Sequence, residues 1–400
     1  MMRFSLNNVF KMVDRNKTKV NCITFAPFLK ELNGHVMDYH ASLHKLFKGN
    51  GWETTTLLSQ DCPLENLPEN WKKNLHSPVK WSRRSFFAKL LPLLFNISSV
   101  IKMTQSFFKT IRPLIQKEKG HKTVLFLETF NTFHLYALAF ILPFLPIKNV
   151  YLWILYRYDS KQLFFKGKKD RKILKRIEHI LMKKRLSLFA DTDSLAEELS
   201  SFFDRKVHLL PIPHTSGVTQ VEHNLDIKRP LCFWWPGVPR RPKGLHLIQK
   251  LTSFQSAQNR AVILRVSEKT AGLSDLCMFG IEKISENLVR KDYLSYLMSS
   301  DAILMPYNIW NYRYSSSGIF IEAVVANKVP IVSPGLWISE ELKKHDLASL
   351  IVDFDDPKIL SLIVDLVLNE DIRAKLKLMS QAYREFHNEK NFAKRLFNHI

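Results

Sequence analysis

The chain has 400 residues, enough for about two domains of ordinary size, and its 46% apolar share is that of a folded globular protein. Four cysteines, Cys22, Cys62, Cys232 and Cys277, stand far apart with no CxxC pair, which argues against a disulfide scaffold or a structural zinc site and fits a reducing compartment. The formal charge of +22 is lopsided: residues 1–200 hold 33 Lys and Arg against 16 Asp and Glu, and residues 201–400 hold 26 against 21, an excess that points to an anionic partner.

In chain order, the opening MMRFSLNNVFKMVDRNKTK has Lys11, Asp14 and Arg15 among its apolar residues and so lacks the apolar centre of a secretion signal. KVNCITFAP (19–27) reads as a strand, VMDYHASLHKLFKGNGWE (36–53) as a helix with Val36, Tyr39, Leu43, Leu46 and Phe47 on one side, and TTTLLS (54–59) as a second strand. Strand–helix–strand of this length implies a parallel sheet. Residues 60–85 are polar and predict irregular structure; 86–117 predict helix, kinked or divided at Pro92. KTVLFLET (122–129) is a strand and NTFHLYALAFILPFL (131–145) a buried helix. The longest apolar run, FHLYALAFILPFLPI (133–147), is shorter than the ~18 residues a membrane span needs and carries two prolines. The expectation is a cytoplasmic protein, with attachment to the inner face of the membrane as its only membrane contact.

NVYLWILYRYD (149–159) is a strand, and the basic stretch 157–185, with 12 basic and 3 acidic residues, predicts a long helix. A charge run is ordinarily a solvated helix face; here the candidates beyond that are a membrane surface, nucleic acid or a phosphorylated substrate. LSLFAD, DSLAEELSSFF and KVHLLPIPH give strand, helix and strand to residue 214, and 215–229 read as a linker. The alternation then restarts with PLCFWWPG, GLHLIQKLTSFQ, NRAVILRVS, an ambiguous DLCMFGIEKI, RKDYLSYLMSSD and AILMPY. A helix and strand in YSSSGIFIEAVVANKVPIVSPG (314–335), then SEELKKH, SLIVDF and two helices across 357–386 complete it. The fold class is α/β, two doubly wound Rossmann-like domains facing a cleft: residues 1–214, joined by a C-terminal helix near 386–400, and residues 215–385.

Chemistry concentrates in the second half. The strand LCFWWPG runs into VPRRPKGL, which sets Arg240, Arg241 and Lys243 on a strand-to-helix loop between Gly237 and Gly244. Cationic donors and close backbone approach are what a phosphate requires. In AILMPYNIWNYRYSSSG a buried strand ends at Pro306; Tyr312 lies in the following loop, and Ser316, Ser317 and Gly318 open a helix whose N–H groups make a second anion nest. Glu322 sits about one turn into that apolar helix. Near a helix start it interacts favourably with the dipole; buried without a partner it would cost several kcal/mol, so the sharper reading is that ligand hydroxyls satisfy it.

Taken together, ADTDSLAEEL…VHLLPIPH, PGVPRRPKGL and SDAILMPYN…YSSSGIFIEAVVANKVPIVSPG resemble the group 1 (family 4) glycosyltransferases of GT-B fold, over about residues 186–370. FAPFLKELNGHVMDYH is consistent with the first strand, glycine loop and helix of such enzymes. The resemblance implies transfer of a sugar from a nucleotide-sugar donor to a glycan or lipid-linked acceptor, retaining, metal-independent and without a cofactor. It implies that Arg240, Arg241 and Lys243 hold the donor diphosphate, with Arg241 and Lys243 stabilising its departure. Glu322 then contacts the ribose as the second glutamate of the E-x7-E motif, and Tyr312, Ser316, Ser317 and Gly318 line the donor pocket. His35 joins Arg241 and Lys243 as a catalytic candidate, meeting the acceptor or donor phosphate, and Gly34, Arg157 and His134 become candidates on the acceptor or phosphate side. One residue departs from the pattern: Tyr314 stands where the first motif glutamate belongs. The basic first domain is expected to lean on an anionic membrane surface. The other classes are an inactive GT-B nucleotide- or sugar-binding partner protein and, on charge alone, a nucleic-acid binder. No helix-turn-helix, zinc finger or RNA-recognition motif supports the last, so no specific nucleic acid is expected.

Overall fold

The computed structural model describes residues 19–29, 35–76, 92–117, 120–163, 167–215, 218, 229–254, 260–274 and 279–400, with backbone alone at 35–38 and 92–97. Two parallel sheets organise the chain, one of seven strands ordered β3-β2-β1-β4-β5-β6-β7 and one of five ordered β10-β9-β8-β11-β12. In the first, the strands are Val20–Ala26 (β1), Glu53–Ser59 (β2), Trp71–Leu75 (β3), Lys122–Leu127 (β4), Val150–Tyr156 (β5), Leu186–Ala190 (β6) and Val207–Leu209 (β7). Their connections include the helices His35–Gly49 (α1), Pro92–Lys117 (α2), Thr132–Ile141 (α3), Lys168–Leu181 (α4) and Asp193–Phe203 (α5). The second sheet is Leu231–Trp234 (β8), Val262–Ser267 (β9), Gly280–Ile284 (β10), Ala302–Met305 (β11) and Val329–Val332 (β12). Around it lie Leu245–Leu251 (α6), Arg290–Ser299 (α7), Ile309–Tyr312 (α8), Gly318–Val325 (α9), Trp337–Lys344 (α10), Ile359–Leu368 (α11) and Glu370–Phe386 (α12), whereas Glu389–Phe397 (α13) meets the first sheet, with Arg395 donating to Leu209 O of β7 at 3.4 Å and Phe392 against Tyr39 of α1.

Both sheets reverse direction of growth once, between β1 and β4 and between β8 and β11. At such a switch point the loops leave on opposite faces and open a crevice beyond the strand ends, where ligands of these folds bind. The central strands β1, β8 and β11, and the edge strand β12, are buried along their whole length, as parallel strands covered on both faces must be.

By contacts the chain divides into two compact units. One comprises the described residues up to Phe28, then His44–Ile154 and Lys172–Leu186. Its core packs Phe25 on Phe107, with ring centroids 5.4 Å apart, and stacks Trp52 on Phe47 at 5.2 Å. The other comprises Leu29–Leu43, Leu155–Arg171 and Ser187–Ile400. Its core is built on β8, β11, β12 and α9, with Trp234, Trp235 and Phe320 among its largest buried side chains.

Several expectations shift. The polar stretch 60–85 contains an edge strand, β3, whose alternating exposure leaves its Lys72 and Lys73 outward and thus hides the hydrophobic signal. Pro92 is the first described residue of α2; residues 86–91, on which the expected kink or division at Pro92 turns, lie outside the described ones, as does most of the linker at 215–229. The ambiguous DLCMFGIEKI yields β10, and SLIVDF gives a short 3-10 turn at Ala348–Leu350 with a single bridge from Ile351 to Val332. The basic stretch is shorter as a helix than expected: α4 ends where Met182 takes a positive φ of 64°, and Lys183–Arg185 form a 3-10 turn. Its apolar residues Ile173, Leu174, Ile177 and Leu181 are buried while Arg171, Lys172, Lys175 and Arg176 are exposed, the amphipathic split the periodicity predicts. Among the described residues no helix is long and apolar enough to cross a membrane.

Candidate nucleotide site

The loop after β8 is built by two glycines. Gly237 has φ +88°, and a Cβ there would lie 2.8 Å from Lys243 Nζ, so the ammonium folds back onto the glycine. Gly244 has φ +85°, and a Cβ there would come within 2.1 Å of the Pro306 carbonyl oxygen. Any other residue would push the loop off the end of β11. Further ties are the Trp235 indole N–H donating to Lys243 O at 3.1 Å and the Asn308 N–H donating to Pro242 O at 2.9 Å. Arg240 and Arg241 are exposed, and Lys243 is half-buried. Burial, with the charge of Arg240 nearby, lowers the Lys243 pKa to about 8. Among the described residues none of these three cations has a carboxylate in ion-pair range. A desolvated lysine beside a second cation, with no carboxylate partner among the described residues, is stabilised by an anion brought next to it.

The loop after β11 meets it. Ser317 is the N-cap of α9 and accepts from the Phe320 N–H at 3.2 Å. Tyr307, fully packed with its phenol held above its usual pKa by burial, is hydrogen-bonded to the Ser317 side chain, and its ring lies 4.9 Å from that of Tyr312. Ser316 Oγ donates to Asp191 Oδ2 at 2.6 Å, and Asp191 stands 3.8 Å from Arg157 Nε. Arg157 in turn lies over the Tyr39 ring at 4.9 Å. Thr192 Oγ1 donates to Tyr314 O at 3.0 Å, and the Trp337 N–H donates to Arg313 O at 2.8 Å. Both serine hydroxyls expected to face a ligand are therefore engaged by the protein. The helix's first N–H groups, at Gly318 and Ile319, have no carbonyl of their own helix to reach.

Glu322 is fully buried, as its surroundings in the sequence predict. Its partners are protein groups, against the expectation that ligand hydroxyls satisfy it. Arg290 Nη1 pairs with Oε1 at 2.6 Å, and the Tyr293 hydroxyl donates to Oε2 at 2.7 Å. Tyr293 is itself buried against Trp234, ring centroids 5.3 Å apart, and burial next to the Glu322 charge raises its pKa well above normal. Arg290 and Tyr293, one turn apart on α7, went unremarked in the sequence. The available signal was their i, i+3 spacing at the start of a helix that follows a strand.

The remaining candidates lie elsewhere or have other duties. His134 is the N3 residue of a capping box: its Nδ1 accepts the Asn131 N–H at 3.0 Å, and the Asn131 side chain caps α3 in return. The ring is buried near Phe28 and Phe107, and burial pushes its pKa down to about 3, so it is a neutral packed histidine. Arg157 is at the end of β5 and bound up with Asp191 and Tyr39 as above. Gly34 and the His35 side chain lie outside the described residues. Among the described residues no three His, Cys, Asp or Glu side chains cluster as metal ligands.

No protein-family profile matches the sequence, and no curated protein matches it. Solved structures do. The trehalose-6-phosphate phosphatase N-terminal domain of Candida albicans superposes with a TM-score of 0.62 at 12% identity, covering 96% of both chains. A glycosyltransferase from Rickettsia africae ESF-5 gives 0.61 at 12% identity, covering 95% of this chain and 97% of the other. An α-glucosyltransferase solved in complex with UDP gives 0.55 at 12%, covering 96% and 99%. The chain has the GT-B glycosyltransferase fold, with parallel α/β sheets of seven and five strands.

Proposed function

We propose that this chain is a nucleotide-sugar-dependent glycosyltransferase. The observation that carries the reading is the pair of anion-seeking devices at the β8/β11 switch point: Arg240, Arg241 and Lys243 on one strand end and the start of α9 on the next. A donor diphosphate placed there faces cations that have no carboxylate partner among the described residues. As the glycosidic bond to the diphosphate breaks, negative charge accumulates on the leaving oxygens, and Lys243 with an arginine of the same loop stabilises it. The structural neighbours support the ligand class, one being described with UDP and another with UDP-glucose and DNA. The family resemblance suggests retention of anomeric configuration and no metal. Tyr314, in place of the first motif glutamate, has its carbonyl held by Thr192, so no carboxylate serves the donor sugar from that position.

The acceptor is taken to be a glycan or lipid-linked molecule, reached from an anionic membrane. The exposed cations of α4 support this, at about 1 kcal/mol per Lys or Arg near an anionic bilayer. Replacing Lys168, Lys169, Lys172 and Lys175 with Ser should abolish salt-sensitive sedimentation with anionic vesicles; equal binding of the unaltered protein to neutral vesicles rules out the electrostatic contact. The second reading, a GT-B partner that binds nucleotide sugars without turning them over, rests on the missing glutamate. A panel of nucleotide sugars decides between the two: release of nucleoside diphosphate from at least one donor supports the transferase, and binding to all tested donors without release supports the partner.

A further inference from the structure

The charge pair inside the second sheet assigns a role that the motif position of Glu322 conceals. The carboxylate has no accessible surface, whereas the side chain of Arg290 that covers it is 26% exposed. Whatever approaches this spot meets the guanidinium first. That group is held from three sides: Nη1 on Glu322 at 2.6 Å, Nη2 donating to His214 O at 3.2 Å, and the guanidinium carbon 5.4 Å from the centroid of the Tyr293 ring. The Tyr293 hydroxyl occupies the second carboxylate oxygen. A ribose hydroxyl could reach Glu322 only by displacing one of these two groups from a buried charge.

We propose, resting on the nucleotide-sugar reading above, that Arg290 is the ligand contact at this end of the site and Glu322 its positioning residue, and that Arg290 selects the nucleobase by donating to a base carbonyl oxygen. A guanidinium only donates hydrogen bonds, and a carboxylate only accepts them. Exchanging one for the other changes what the site recognises from hydrogen-bond donors to acceptors. The nucleoside part of a donor offers ribose oxygens and ring nitrogens in every case, and carbonyl oxygens only on uracil, thymine, cytosine or guanine, so a carbonyl contact is what separates these bases from adenine. Placement fits this end of the ligand. Arg290 begins α7, which leads from β10 back to β11; its partner Glu322 lies on α9, and Tyr293, one turn on, packs on Trp234 at the end of β8, the strand from which the phosphate loop leaves.

The test is equilibrium binding of UDP, 2′-deoxy-UDP, GDP, ADP and inorganic pyrophosphate to the unaltered chain, to Arg290→Lys, to Glu322→Gln and to the charge-neutral double variant Arg290→Gln/Glu322→Gln. The double variant removes both members of the pair, so no buried charge is stranded; its thermal melt checks folding. The expected result is UDP or GDP binding at least tenfold tighter than ADP, and 2′-deoxy-UDP binding like UDP. The preference over ADP should fall to within about twofold in the double variant while pyrophosphate affinity is unchanged, and Arg290→Lys, should the double variant not fold, should weaken the same preference. The inference is overturned if the base preference survives both Arg290 variants. It is also overturned if the 2′-deoxy compound loses tenfold in the unaltered chain and Glu322→Gln erases that loss, which would restore a carboxylate–ribose contact. Binding of nucleotides with neither base nor ribose preference sinks this inference alone; no binding of UDP, GDP or pyrophosphate sinks the nucleotide reading with it.

Discussion

Two groups of charges at the strand ends of the second sheet are treated in opposite ways. Arg240, Arg241 and Lys243 stand on a loop shaped by Gly237 and Gly244 and, among the described residues, have no carboxylate partner. Glu322 is fully buried and carries both an arginine and a tyrosine. The first group spends folding stability, because a half-buried ammonium next to another cation is disfavoured, and its pKa of about 8 records that. The second is consumed by the fold. The contrast teaches that motif position identifies a residue's neighbourhood and not its exposure: the lysine is half-buried with no carboxylate partner among the described residues, and the glutamate is fully buried and paired.

The contrast can be broken first on stability. Arg290→Ala strands the Glu322 charge, and breaking a buried ion pair costs about 3–5 kcal/mol. A denaturant melt should show a loss of that order, whereas Lys243→Ala should show none. Equal melts for the two variants would erase the distinction.

On turnover the order reverses. Lys243→Ala should reduce kcat by about 10²–10³, the effect of removing one group that stabilises developing negative charge, with a smaller rise in donor KM. A Lys243→Ala enzyme of ordinary rate would make the loop mere surface.

A smaller effect comes from pH. With a pKa of about 8, Lys243 is mostly charged at pH 7 and mostly neutral at pH 9, so affinity for UDP should fall about tenfold between them. The sign for stability is opposite. The folded pKa lies below the usual 10.5, so the unfolded chain binds more protons between about 8 and 10.5. Stability therefore gains from this group as pH rises through that window. Flat UDP affinity from pH 7 to 9 would contradict a lysine phosphate contact. The smallest effect concerns a histidine that, like Glu322, is used by the fold. Asn131→Ala removes the cap that His134 completes and should cost about 1 kcal/mol in a melt, without altering UDP affinity.

Much of this was legible in sequence because buried parallel strands and capped helices announce themselves. LCFW and AILM are continuous apolar runs and VNCITFA a mostly apolar one, Thr192 and Ser317 cap the helices expected of them, and Asn327 takes the left-handed φ of 60° that ends α9. The strand-end loop RRPKG was legible for the same reason: glycines frame cations just past a buried strand. What stayed hidden were the partners. Asp191 meets Ser316 across 125 residues, and Tyr293 meets Glu322 across 29. Such pairings are made by packing between elements, which periodicity within one element does not encode. The edge strand β3 was missed because its outward lysines interrupt the apolar pattern.

The central claim is a nucleotide-sugar site whose charge is supplied by the β8 loop. Its most direct test is to incubate a panel of nucleotide sugars with the unaltered chain and with Lys243→Ala and to measure nucleoside diphosphate released. Release from at least one donor by the unaltered chain, lost by about a hundredfold or more in the variant, is the predicted result. Equal release by both proteins, or no release together with no detectable binding of any nucleotide, would contradict it.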